Sequence, residues 1–226
     1  MALTELARGL AYWAARYRQL PGNVDLTGKH TVAEAVAGLR RTSPQGAGQS
    51  GRSPLADLHD NPSYAEALGT LSPLAAGRRL SEMTSTFAGV HLAHADGPPV
   101  PMIHGVTAPA ALRVALAQLP DQLDAPSVAA MWRVHVALLL MFTHDADTEH
   151  DILKSASDTG LLPWHDLFGR ALVHGDEHVI KFTEACYREN AIQPDPRFAA
   201  AVQAALQRIP HRALGGGAAT VANPAR

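Results

Sequence analysis

The densest run of side chains able to do chemistry is His174-Gly175-Asp176-Glu177-His178-Val179-Ile180-Lys181, leading into Phe182-Thr183-Glu184-Ala185-Cys186-Tyr187. Asp176 is suited to cap a helix, and Glu177 to sit at its positive end. With about 100° of rotation per helical residue, His178, Phe182 and Ala185 share a face, and Lys181 lies on its flank. An imidazole and an amine three residues apart can therefore enter one cavity. A protonated lysine is no metal ligand, because its ammonium has no lone pair. A buried neutral lysine, however, reacts with carbon dioxide to give a carbamate, which binds a metal through oxygen as a carboxylate does. The same residues also have a purely structural reading. Glu177 and Lys181, four apart in the favourable order, can be a surface ion pair, His178 a core histidine and Cys186 a small buried hydrophobe. Spacing leaves both readings open, and the structural one is the commoner fate of such residues.

The second segment is Met102-Ile103-His104-Gly105-Val106-Thr107-Ala108-Pro109. Thr107 reads as a helix cap and Pro109 as an early helical residue, which places His104 at a corner just before the helix, its ring free to face a cavity. Arg113 is expected to pair with a carboxylate of the fold. His91 with His94, and His144 with His150, could each chelate a metal in principle, but their polar surroundings at helix ends favour solvated surface. Nothing in the spacing ties His30, His59, His135, His165 or His211 to a site.

The elements that must hold these residues are helical. Patterned segments repeat at the helical period, and no stretch alternates in the manner of a strand, so the expected fold is all-α: one multi-helix, bundle-like domain. Helices are expected over Leu3–Leu20 (apolar at Leu3, Leu6, Leu10, Trp13 and Tyr17), Thr31–Arg40 with Thr31 as N-cap, Pro73–His94, Ala108–Leu119, Ala125–His144, Trp164–Val173, Asp176–Ala191 and Pro196–Ile209. Short helical turns interrupted by Asn61-Pro62 are expected over Leu55–Leu71, and a proline-rich loop over Gly97–Pro101. Val134, Leu138, Leu139 and Met141 mark Ala125–His144 as the central helix. The Gly/Ser-rich stretch Thr42–Pro54 reads as a mobile linker, and the chain from Leu214 onward as a disordered tail beyond a domain spanning 1–213.

Composition narrows the class of function. The 226 residues are 46% hydrophobic and 18% charged, a normal balance for one globular domain. Nineteen Lys and Arg against 21 Asp and Glu leave a net charge of −2, with no positive excess to neutralise phosphates, so no nucleic-acid partner is expected. The apolar pattern of the first 22 residues is broken by Glu5, Arg8, Arg16 and Arg18, which argues against a signal peptide or a membrane partner. A single cysteine fits a reducing, cytoplasmic interior. There is no Gly-rich phosphate loop, no G-x-S-x-G, no H-E-x-x-H and no paired-cysteine zinc motif. Twelve histidines against only 5% aromatic residues remain the compositional lead.

Three blocks, ELARGLAYWAARYRQLPG at Glu5–Gly22, HGVTAPAALR at His104–Arg113 and GDEHVIKFTEACYRE at Gly175–Glu189, resemble segments of the questin oxidase-like family in order and approximate spacing. The similarity runs from about Glu5 to Glu189 and is most specific in the last block, where histidine is followed three residues later by lysine. The resemblance implies a helical, iron-dependent oxygenase acting on an aromatic polyketide such as an anthraquinone, by oxygen insertion or ring cleavage. It implies a non-haem iron held by histidines and a carbamylated lysine: carried onto this chain, His104 and His178 as ligands and Lys181 as the modified residue. It also implies a small aromatic substrate and, by family analogy, NADPH as electron donor. Family members are longer, so the chain is expected to match their C-terminal portion. Two further ligand positions would then fall to His91, His94 or a partner chain. The alternative expectation is a truncated, non-catalytic helical domain that binds a hydrophobic small molecule or a partner chain.

Overall fold

The computed structural model describes residues 2–41, 57–144, 149–154 and 160–211. The expected linker at 42–54 and tail at 214–226 lie outside the described residues. Within them the fold is all-α: the one extended pairing is an isolated bridge between His30 and Leu71.

In chain order the helices are α1 (Ala2–Arg16), α2 (Val32–Gly38), α3 (Pro62–Ala67), α4 (Ala76–Ala93), α5 (Pro99–Leu116), α6 (Asp124–Phe142), α7 (Glu149–Lys154), α8 (Trp164–His174), α9 (Glu177–Ile192) and α10 (Pro196–Arg208). Several ends follow directly from local chemistry. Thr31 and Glu34 form a reciprocal capping box at the start of α2. The Asn61 side chain accepts from the Tyr64 amide while Pro62 opens α3, so Asn61-Pro62 starts a helix where only an interruption was expected. Gly175, at φ 74, ends α8, and Asp176 immediately caps α9. Helix α6 has no side-chain cap and is entered through a short 3-10 turn, Asp121–Leu123.

The middle of the molecule is α4, not α6. Helix α4 packs against α2, α5, α6, α7, α9 and α10, and nearly every side chain from Arg79 to His91 is buried. Its Ser, Thr, Ala and Gly residues give it a weak apolar signature, yet small side chains are what let neighbours approach from several directions. Helix α6 is more apolar and by length and composition could cross a membrane; it packs on α3, α4 and α5 and buries Trp132, His135, Val136 and Leu139. Val134 faces solvent.

Of the expected loop at Gly97–Pro101, Gly97 and Pro98 lie before the helix, and Pro99 to Pro101 form the first turn of α5. Pro99 and Pro101 sit where helical amides have no partner, so their missing N–H costs nothing. The helix then runs on through Pro109, placing His104 in its interior and removing the expected corner and Thr107 cap. Pro109 cannot donate to the carbonyl four residues back. That carbonyl, on Gly105, lies 2.8 Å from His135 Nε2, and the Met131 carbonyl lies equally close to Nδ1, so a neutral ring donates to one of the two. The His135 ring packs edge-on to Phe87, 4.1 Å between centroids. A Cβ on Gly105 would lie 2.1 Å from Phe87 Cδ1, so glycine is what allows α5 to close on α4 here.

Two further differences concern burial. Helix α1 forms, but it stops at Arg16, and Leu3, Leu6, Leu10, Trp13 and Tyr17 are all at least half exposed. His91 and His94, expected at the surface, are buried. His91 lies against Phe182 with neither ring nitrogen hydrogen-bonded within the described residues, and burial, reinforced by Arg208, lowers its pKa to about 3. His94 joins Arg41 and Thr143 around the buried carboxylate of Glu149, on the unexpected short helix α7. Burial alone would raise the Glu149 pKa; hydrogen bonds from His94 and Arg41 outweigh it and hold the group ionised. His144 is half-buried, its ring edge-on to His94, while the side chain of His150 lies outside the description.

Candidate functional site

Helices α5 and α9 pack side by side, and their register is held at one end by charge. Arg113 on α5 makes a two-pronged contact with the buried Glu189 of α9, at 3.0 and 2.8 Å, and Glu189 also accepts from Thr84. Arg188 donates to the Ala110 carbonyl. Arg113 thus takes the structural pairing expected of it. Toward the other end the two helices part into an open cleft of about 350 Å³, lined by His104, Thr107, Ala108 and Ala111 of α5 and by Lys181, Glu184, Ala185 and Arg188 of α9.

Of the residues singled out from distant parts of the sequence, His104 and Lys181 line this cleft, and His178 lies beside it against His104. The His104 and His178 rings stand edge to face, with centroids 5.7 Å apart. Lys181 Nζ is 3.5 Å from His104 Nε2, the edge of hydrogen-bond reach. Lys181 makes no ion pair with Glu177 among the described residues; it is turned across the groove instead.

Each imidazole is held by its Nδ1. His104 Nδ1 lies 2.8 Å from the Val100 carbonyl, which can only accept, so Nδ1 carries the proton and Nε2 keeps its lone pair. Burial lowers the His104 pKa, with help from the Lys181 and His178 charges and against the Val100 bond, so the neutral ring is favoured. His178 Nδ1 lies 3.2 Å from Asp176 Oδ1, and the same carboxylate oxygen accepts from the His178 amide at 2.8 Å. Burial would raise the Asp176 pKa, but these bonds to His178 prevail and keep it low. A carboxylate or carbonyl that fixes the proton on one ring nitrogen and leaves the other as a donor is the usual support for a metal-binding histidine. Sequence reasoning took Asp176 only for a cap. The D-x-H spacing at a helix start was the signal of its second role, since an N-cap side chain lies next to the residue two positions on.

Two imidazole nitrogens suit a transition metal. The third partner is an amine, and Lys181 is exposed, whereas the carbamate chemistry expected from the sequence called for a buried one. Among the described residues no three or more His, Cys, Asp or Glu side chains gather where they could hold a metal ion. The donor set is therefore two nitrogens, completed to three only if Lys181 carries a carbamate. His91 and His94 do not line the cleft and belong to the core.

Other histidines and the cysteine serve packing. His174 is buried, contacts the Ile209 carbonyl through Nε2 at 2.9 Å and stacks on His211 at 4.2 Å. Cys186 is fully buried, and burial, with the nearby Glu189 and Glu184 charges, pushes its thiol well above the usual range, which leaves it an unreactive hydrophobe. A larger groove of about 530 Å³ between α8 and α10 is lined by Leu162, Arg170, Val173, Gln203, Leu206 and His211. It gathers no comparable set of acids and bases.

No family model, no curated protein and no solved structure matches this chain.

Proposed function

We propose that the chain is an iron-dependent oxygenase of the questin oxidase-like kind, acting on an aromatic polyketide such as an anthraquinone, with NADPH as electron donor. The observation that carries the reading is that His104 lies within contact of both His178 and Lys181 at the edge of one cleft, with each imidazole supported through Nδ1. In this reading His104 and His178 would hold the iron through Nε2, and Lys181, as a carbamate, would add an oxygen ligand. Iron, when bound, activates oxygen. The chain's own part is to hold the metal and to offer the small, largely apolar walls of Ala108, Ala111 and Ala185 to a flat ring. Metal analysis of protein purified without oxygen tests this. Stoichiometric iron in the wild type, lost in His178→Ala and in Lys181→Ala, is the expected result. No iron in the wild type, or unchanged iron in both variants, overturns it.

One observation favours a second reading, a helical domain that binds a partner chain: among the described residues the apolar side of α1 stays exposed, with Leu3, Leu6, Leu10, Trp13 and Tyr17 all at least half accessible. Exposed apolar strips of this kind mark interfaces.

A further inference from the structure

We infer that α1 is a dimerisation element, pairing antiparallel with the α1 of a second copy of this chain about a two-fold axis at Leu10. The inference rests on the second reading above and names its partner; it is independent of the metal. Every side chain from Leu3 to Gln19 is exposed. A lone helix of this length is marginal in water, so its amphipathic face calls for a cover.

The spacing says what kind of cover. Leu3, Leu6, Leu10, Trp13 and Tyr17 recur at intervals of three, four, three and four, the seam of a helix that packs on another helix. Ala7, Gly9 and Ala14 flank that seam and permit a close approach. In an antiparallel pair centred on Leu10, large side chains meet small ones: Trp13 lies level with Ala7 of the other copy, and Leu6 with Ala14. Leu3 lies level with Tyr17.

Charge agrees with the same register. Glu5 and Arg16 lie on one flank of the seam, and antiparallel packing brings that flank against itself, setting Arg16 beside Glu5 of the other copy, twice by symmetry. In the single chain Glu5 holds only a solvent-exposed contact with Arg8, at 2.7 Å, which is readily exchanged. A parallel pair would set Trp13 against Trp13 and give Arg16 no carboxylate. A lipid surface is a poorer match, because the face opposite the seam carries Thr4, Ala11 and Ala15 beside Arg8 rather than a row of cations.

Sedimentation of the full chain over a rising concentration series tests the proposal. The wild type is expected to pass from monomer to dimer. Leu10→Glu, which sets like charges on the axis, should stay monomeric while the thermal melt of the body is unchanged. Arg16→Glu and Glu5→Arg should each weaken association by about tenfold, since two exposed contacts turn from attractive to repulsive. The double variant Glu5→Arg with Arg16→Glu should restore it. A wild type that is monomeric throughout, a dimer that survives Leu10→Glu, or a double swap that fails to restore association overturns the proposal. A monomer that co-sediments with anionic vesicles also overturns it, yet leaves α1 a binding surface.

Discussion

Residue identity alone was a poor guide to where the histidines would go. His104 and His178 could be singled out because each lay in a distinctive run, but their tautomers depend on Val100 and Asp176, contacts that exist only once the helices form. His91 and His94 were misjudged for a general reason. Helix-end position suggests solvent, whereas α7, α9 and α10 all pack on α4, with Phe182 of α9 against the His91 ring and Glu149 of α7 against His94. Burial makes His91 a measurable source of acid sensitivity. The unfolded chain binds a proton on this ring near the ordinary value of 6.5, whereas the folded protein resists it until about 3. Stability attributable to His91 is therefore intact above 6.5 and is lost steadily as the pH falls from there toward 3. The expected slope is about 1.4 kcal/mol per pH unit in that window. Urea denaturation across this range should show His91→Leu with a slope shallower by about that amount. An unchanged slope would show that His91 is protonated in the native protein. The burial-lowered pKa values of His104 and His135 leave some acid sensitivity of the same sign in the variant.

Most helices could be read from the sequence, and the exceptions share a cause. Period and caps located α2, α8, α9 and α10 closely, because their ends are set by Thr31, Gly175, Asp176 and Asp195 within the element itself. Helix α5 begins well before its expected Ala108 start because proline reads locally as a helix opening, and its continuity through Pro109 depends on a group from another helix. A neutral His135 donates one proton, and Gly105 is the carbonyl left without its helical partner. Replacing His135 by Phe should therefore cost about 1–3 kcal/mol in chemical denaturation. In a Pro109→Ala background the restored amide can serve Gly105, and the same His135→Phe change should cost markedly less. Equal costs in both backgrounds would separate His135 from the continuity of α5. Helix α7 escaped notice because its reason for being lies elsewhere, in the ion pair of Glu149 with Arg41.

At the scale of the molecule, the helical period correctly indicated an all-α chain and left open how its helices would pack. The centre passed to α4, whose serines and threonines disguise it, and the amphipathic face of α1 that looked ready for a core is exposed among the described residues. The candidate site was legible as three residues in two segments, while their proximity required the packing of α5 on α9. The central claim is that His104, His178 and Lys181 act as one metal site, with Lys181 converted to a carbamate. Its most direct test is an anaerobic Fe(II) titration of the full chain, with and without dissolved carbon dioxide. The account expects one bound iron whose affinity falls by about tenfold or more when carbon dioxide is removed, as loss of a supporting or ligating group does. Lys181→Ala should bind as weakly as the carbon-dioxide-free wild type and respond no further. Iron affinity indifferent to carbon dioxide and to Lys181→Ala would contradict it.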